Sequence, residues 1–281
     1  MLPYFQITGW QIGPVTIQAW GLMVALGIMA AVLVANYLAK KYLLSPQVIL
    51  DLAIWILISA FVFARLFHVL FYDPSYYLTN PMEILYLWHG GASSLGGFFG
   101  AAVAVFLFAK VRKFSWKELL PYFDVGALSL WLGWGIGRIG CFLIHDHPGT
   151  LSHFFLAVQY PALPLDNNGM VVFNPSTDAV FPRHDLGLYE SILGFVLFIV
   201  FALLFKKLVK KRWGLVALWS SVSYVVVRFF LDFLRATDLQ QVDARYASLT
   251  PAQWGMIAIV LGLTSLFIYG KMKRQNTVDN D

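Results

Sequence analysis

Two stretches of this chain set permanently charged side chains into apolar surroundings. In Gly133-Trp134-Gly135-Ile136-Gly137-Arg138-Ile139-Gly140-Cys141-Phe142, an arginine sits among glycines near the end of an apolar run. A guanidinium there costs roughly a few kcal/mol unless it is paired, hydrated or snorkelled to the headgroups. Its rigid fork of five donors suits a phosphate, and the glycines let backbone N–H groups approach whatever the fork holds. The second stretch carries Tyr224, Arg228, Asp232 and Arg235. At about 100° per residue these four fall on one helical stripe, with Asp232 a turn from each arginine. Such a stripe either packs helices as an ion cluster or faces a cavity, where Asp232 orients Arg228 towards an anion. Arg138 and Arg228 on different helices then read as a two-sided phosphate clamp.

Other polar residues point to less. Arg65 and His68 share a face and are expected to be structural. Glu190 stands near the start of an apolar run, where the helix dipole favours a carboxylate without any functional role. His145, His147, His153 and His184, with Asp146 and Asp185, crowd one connection. Neither a HExxH nor a Cys-His pattern is present, so no metal site is expected. The single cysteine, Cys141, excludes an intrachain disulfide and reads as a small buried apolar residue.

The elements that must hold these residues follow from composition. Of 281 residues, 59% are apolar and 12% charged, with a mean hydropathy of +0.69. Soluble domains carry about twice that share of charge, so the expected fold is an all-α polytopic membrane protein. Stretches of roughly 20 apolar residues occur at about 18–39, 48–71, 92–110, 122–143, 187–205, 214–235 and 252–270, giving seven transmembrane helices. Every lysine lies in alternate connections: after the first span, between the third and fourth, between the fifth and sixth, and after the seventh. Cytoplasmic loops collect lysine and arginine, which places the N-terminus outside and the C-terminus in the cytoplasm. That asymmetry also accounts for the net charge of +5 without nucleic acid. No basic residue precedes Lys40, so the first span is expected to act as the insertion signal. Residues 1–281 form one membrane-embedded domain, with a small extracytoplasmic cap at about 144–186. Chemistry is expected in the outer half of the membrane or at its outer face, because Arg65, Arg138, Arg183, Arg228, Arg235 and Arg245 and all six histidines fall within spans or outer connections.

The block Gly137-Arg138-Ile139-Gly140-Cys141-Phe142, with Gly149 following, resembles the signature of bacterial prolipoprotein diacylglyceryl transferases. The likeness extends along nearly the whole chain: Gly13-Pro14-Val15-Thr16-Ile17 leading to Trp20-Gly21-Leu22-Met23, then Gly90-Gly91-Ala92-Ser93-Ser94-Leu95-Gly96-Gly97, Leu188-Tyr189-Glu190, and Arg228 through Arg235. The resemblance implies a multi-pass protein of the bacterial inner membrane. It implies transfer of the diacylglyceryl group of phosphatidylglycerol to the lipobox cysteine of preprolipoprotein signal peptides, with glycerol 1-phosphate released and no cofactor. Its partners are then membrane lipid and secreted precursors, not nucleic acid. Carried over residue by residue, Arg138 and Arg228 are the catalytic arginines, and Gly140, Asp146, Gly149, Tyr224, Asp232 and Arg235 help to bind substrate.

The chain departs from the family pattern at several places. Cys141 replaces the usual asparagine, Asp146 a longer acidic residue, and Trp20 a tyrosine. Leu95 stands where many members carry a histidine proposed to deprotonate the thiol. The candidate bases are therefore His145, His147 and His184. His145 lies about 10 Å beyond Arg138 if the helix continues. His147 precedes Pro148, which disfavours helix, and is expected on a turn above the site. Alternatively, all three only hydrogen-bond within the cap. Two wider alternatives remain at this point: a protein that binds or transports an anionic phospholipid, and a divergent member that performs a related transfer.

Overall fold

Helix-forming apolar runs dominate the computed structural model, which describes residues 1–13, 15–72, 74–86, 91–163, 172–173, 180–239, 245–258 and 260–262. Among the described residues, five helices are long and apolar enough to cross a membrane: α1 (Ala19–Lys41), α2 (Pro46–Phe71), α5 (Trp116–Ile144), α6 (Leu186–Lys211), and the run Leu215–Leu234, made of α7 (Leu215–Leu231) and a 3-10 turn. Helix α4 (Ser94–Val111) and a last helix, Pro251–Gly262, are apolar but shorter. His89, Gly90 and the far half of the expected seventh span lie outside the described residues. The chain divides into two compact units.

The first comprises residues 28–133 and 198–220. Here α2 and α4 pack closely because Gly96 and Gly100 present bare Cα atoms to the backbone oxygens of Phe63 and Ser59. The Ser59 hydroxyl donates to the Gly100 carbonyl at 2.7 Å. Between these helices run α3 (Pro74–Thr79) and a 3-10 turn at Pro81–Leu85. Arg65 is buried and donates to the carbonyls of Ile84, Glu83, Tyr86 and Gly91, with its guanidinium 5.1 Å from the Tyr77 ring centre. It therefore anchors this connection, as its pairing with His68 suggested. Asp124, fully buried in α5, accepts from the backbone N–H groups of Gly214 (2.7 Å) and Ala217 (2.8 Å). Those are orphan donors of the α7 N-terminus, so one carboxylate sets where the helix bearing Arg228 begins.

The second unit comprises residues 1–27, 134–197 and 221–281. The described residues of the connection expected as a cap are mostly extended. They form a sheet in the order β1 (Leu2–Pro3), β5 (Val158–Leu163), β7 (Val180–Asp185), β4 (Pro148–Leu151), with β6 (Val172–Phe173) also on β5. The contact of β1 with β5 is parallel and the others are antiparallel. A hairpin, β2 (Gly9–Ile12) with β3 (Val15–Gln18), leads into α1. Sheet and N-terminus are joined by a buried cluster around His145. Its Nδ1 lies 2.7 Å from Asp185 Oδ2, its Nε2 lies 2.6 Å from the Phe5 carbonyl, and Tyr4 stacks on its ring. Tyr160 donates to the same Asp185 oxygen at 2.6 Å. Burial, reinforced by that carboxylate, pushes the phenol far above its usual range, so it remains a donor.

The sheet also grips the chain leaving α7. Gly149 pairs with Arg235. Arg183, fully buried, donates to the Gly149 carbonyl at 3.0 Å and makes a two-pronged pair with Asp238. That hydrogen bond holds the Asp238 carboxyl below the usual carboxylate range. A Cβ on Gly149 would overlap the Leu234 carbonyl oxygen and lie 2.7 Å from His184 Cβ. Since the backbone itself must yield, Gly149→Ala is expected to cost about 1–3 kcal/mol, read as a lower unfolding temperature of the purified protein. An unchanged melt would show that the strand pairing is looser than this geometry.

Candidate active site

The parts of α5, α6 and α7 that belong to the second unit bring the charged residues together. Ser191 on α6 donates to the Gly135 carbonyl on α5 at 2.8 Å. A Cβ on Gly135 would sit 3.2 Å from the Phe195 ring, and one on Gly187 2.8 Å from the Phe142 nitrogen. Gly135 of the arginine block and Gly187 of α6 thus serve close α5–α6 packing, while Gly137 and Gly140 face α1. That packing carries Glu190 to Arg138.

Glu190 is the residue that sequence reasoning passed over. Helix α6 begins at Leu186, so Glu190 lies beyond the first turn, where the dipole effect has faded. Its side chain is fully buried. Arg138 Nη2 stands 2.9 Å from Oε2 and Arg228 Nε 3.1 Å from Oε1. The Tyr224 hydroxyl donates to Oε2 at 3.3 Å. The place expected for a phosphate between two guanidiniums is thus taken by a carboxylate. The available signal was an ionisable residue inside an apolar helix, itself a functional pointer.

Only half of the expected stripe is helical: Tyr224 and Arg228 lie on α7, whereas Asp232 opens the 3-10 turn that follows and Arg235 is extended, so ion pairs hold the group together. Asp232 is fully buried, with Oδ1 2.6 Å from Arg228 Nη1 and 3.4 Å from Arg235 Nε. Thr250 donates to its Oδ2. Trp134 completes the wall: the Arg138 guanidinium lies 4.7 Å from its ring centre, and Tyr224 meets the ring edge-to-face at 5.7 Å. Arg138 also points Nη1 at the buried Cys141 Sγ, 3.6 Å away. Among the described residues, the guanidiniums of Arg138, Arg228 and Arg235 are held by two carboxylates, Glu190 and Asp232. Guanidiniums fixed in this way present rigid forks of donors suited to an anionic group.

The remaining predicted residues fall nearby or elsewhere. Gly140 packs on α1, where a Cβ would meet Trp20 Cα at 3.0 Å, so it serves helix contact. Gly149 serves the sheet. Asp146 and His147 are partly exposed and pair with each other at 2.7 Å. His145 has each ring nitrogen already facing an oxygen. His184 places Nδ1 2.7 Å from the Tyr189 hydroxyl, and burial pulls its imidazole below the usual range. Leu95, on α4, is largely exposed.

Long apolar helices with a buried arginine–carboxylate centre define a multi-pass membrane protein built around a charged site. A family profile described as prolipoprotein diacylglyceryl transferase matches residues 8–269. Curated relatives share the same extent. The phosphatidylglycerol–prolipoprotein diacylglyceryl transferase of Staphylococcus xylosus is 31% identical over 271 residues, covering 95% of this chain and 90% of the relative. That of Staphylococcus haemolyticus is 32% identical over 280 residues, 98% and 91% of the two chains. That of Pseudomonas putida is 33% identical over 267 residues, 93% of each. The chain belongs to the prolipoprotein diacylglyceryl transferase family.

Proposed function

We propose that this chain transfers the diacylglyceryl group of phosphatidylglycerol to the cysteine thiol of prolipoprotein signal peptides. The relatives' names supply the lipid donor and the protein acceptor. The observation that carries the reading to this site is the alignment of the Arg138 and Arg228 guanidiniums on the buried carboxylates Glu190 and Asp232. Their forks of donors suit a phosphodiester. In the reaction the thiolate sulfur attacks C3 of the diacylglycerol moiety, a C–S bond forms, and the C–O bond to phosphate breaks. The electron pair leaves on glycerol 1-phosphate, whose phosphate gains negative charge as the bond breaks. Guanidiniums fixed by buried carboxylates stabilise that developing charge more than the diester. No metal or organic cofactor takes part.

The topology is read as seven spans of the bacterial inner membrane, with α4 and the helix beginning at Pro251 as the third and seventh. The N-terminus and the sheet lie outside, and the site faces the outer leaflet. The alternation of lysine-bearing connections supports this orientation. The thiol proton passes to His147, the more exposed of the two histidines of the His145-Asp146-His147 segment. His145 instead anchors the N-terminal strand. Gly140 and Gly149 shape the site through packing, while Asp146 and Tyr224 bear on substrate through His147 and Glu190.

The test is a purified protein in phosphatidylglycerol-containing bilayers with a lipobox peptide. A thioether-linked diacylglyceryl peptide and free glycerol phosphate are expected; tight lipid binding without product would overturn the reading in favour of a lipid carrier. In the same assay His147→Ala is expected to lower transfer more than tenfold at pH 7. The loss should shrink as pH rises towards the thiol pKa of about 8.5. Full activity from pH 6 to 9 would place the base outside this segment.

A further inference from the structure

The start of the last helix carries a second polar device that touches the site. Thr250-Pro251-Ala252-Gln253 has the spacing of a capping box. The backbone makes it one: the Gln253 N–H donates to Thr250 Oγ1 at 3.2 Å, and the Thr250 N–H donates to Gln253 Oε1 at 2.9 Å. Proline at the first helical position fits the same start.

Two features exceed what a cap requires. Thr250 and Gln253 are 2% and 0% exposed, and each spends its remaining hydrogen-bonding capacity on α7 or its continuation. The Gln253 amide donates to the Phe229 carbonyl at 3.0 Å, beside Arg228. The Thr250 hydroxyl has one proton, and it goes to Asp232 Oδ2. A hydroxyl donates once and accepts twice, so capping and donation are compatible in one side chain. Asp232 Oδ2 is thereby occupied, leaving Oδ1 to Arg228 and Arg235.

We infer that Thr250 is a positioning residue: its hydroxyl fixes the rotation of the Asp232 carboxylate, and through it the direction in which Arg228 presents its guanidinium. The inference rests on the proposed role of Arg228 in the transfer. Without the hydroxyl, Asp232 is free to turn both oxygens towards the arginines and draw Arg228 back from the anion. Misplacement of a reacting group by about 1 Å costs on the order of 100-fold in rate. The charge that Arg228 faces grows during the reaction, so the loss belongs in kcat.

Three variants separate this role from capping. Valine keeps the shape and removes both functions. Glycine keeps most of the capping, since glycine replaces an N-cap residue at a cost of only a few tenths of a kcal/mol, but it has no hydroxyl. Serine keeps both. In the bilayer assay with phosphatidylglycerol and a lipobox peptide, Thr250→Val and Thr250→Gly are each expected to lower kcat at least tenfold with KM changed less than threefold. Thr250→Gly should melt close to the parent, and Thr250→Ser should restore kcat to within threefold. Loss of activity only in the variant that melts early, or failure of serine to rescue, would overturn the inference. Arg228→Lys is measured beside them. If it is inactive while Thr250→Gly is fully active, the inference alone falls. If Arg228→Lys transfers normally, the reading of the site falls with it.

Discussion

Replacing Arg138 with lysine is expected to lower kcat for diacylglyceryl transfer by about 100- to 1,000-fold, the range seen when one preorganised donor to a developing anion is removed. The reason lies in how this guanidinium is held. One nitrogen is tied to Glu190 at 2.9 Å, another points at Cys141 Sγ, and the plane lies over Trp134 at 4.7 Å. Only a planar, delocalised cation satisfies all three contacts. A lysine ammonium is a compact point charge on a flexible stem; it keeps the charge but loses the fork and the stacking. The overall charge of the cluster is unchanged, so binding of phosphatidylglycerol should weaken far less than turnover. The measurement is a steady-state comparison of parent and Arg138→Lys at equal folded amounts. Near-parental kcat for the lysine variant would remove Arg138 from the chemistry.

The second large effect is expected at Glu190. Glu190→Gln keeps the shape but leaves the Arg138 and Arg228 guanidiniums facing an amide whose NH2 is itself a donor. Removing one partner of a buried ion pair costs about 3–5 kcal/mol, and here one carboxylate serves two arginines and Tyr224. The variant should therefore unfold at a clearly lower temperature. Its kinetics carry a distinctive sign. With one negative charge removed, an anionic headgroup is drawn in more strongly, while the arginines lose the carboxylate that aligned them. Both KM and kcat should fall, the pattern of tighter ground-state binding with poorer transition-state fit. Added anionic phospholipid should also partly restore the unfolding temperature of Glu190→Gln. A variant as stable as the parent, with unaltered KM, would mean that Glu190 is a bystander to the two arginines.

What could be read from the residues alone was whatever depends on local periodicity and on solvent. Apolar runs of membrane length are a property of consecutive residues, and the helices follow from them. The one-turn spacing of Arg228 and Asp232 follows equally from the helical repeat, and the two do pair, whereas Arg235 reaches Asp232 from extended backbone after a 3-10 turn. That the guanidiniums need partners required only the observation that charges in apolar runs must be compensated. Tertiary structure decided which groups compensate them. Glu190 meets Arg138 and Arg228 because glycines let α5 and α6 approach, and nothing local to Leu188-Tyr189-Glu190 encodes that neighbour. Thr250 reaches back 18 residues to Asp232, and Arg183 reaches 55 residues to Asp238. The N-terminal strand joins a sheet whose other members lie more than a hundred residues away. Pairings across such separations depend on how whole helices and strands pack. A sequence read through its local repeats therefore names the charged actors but not the carboxylates and hydroxyls that aim them.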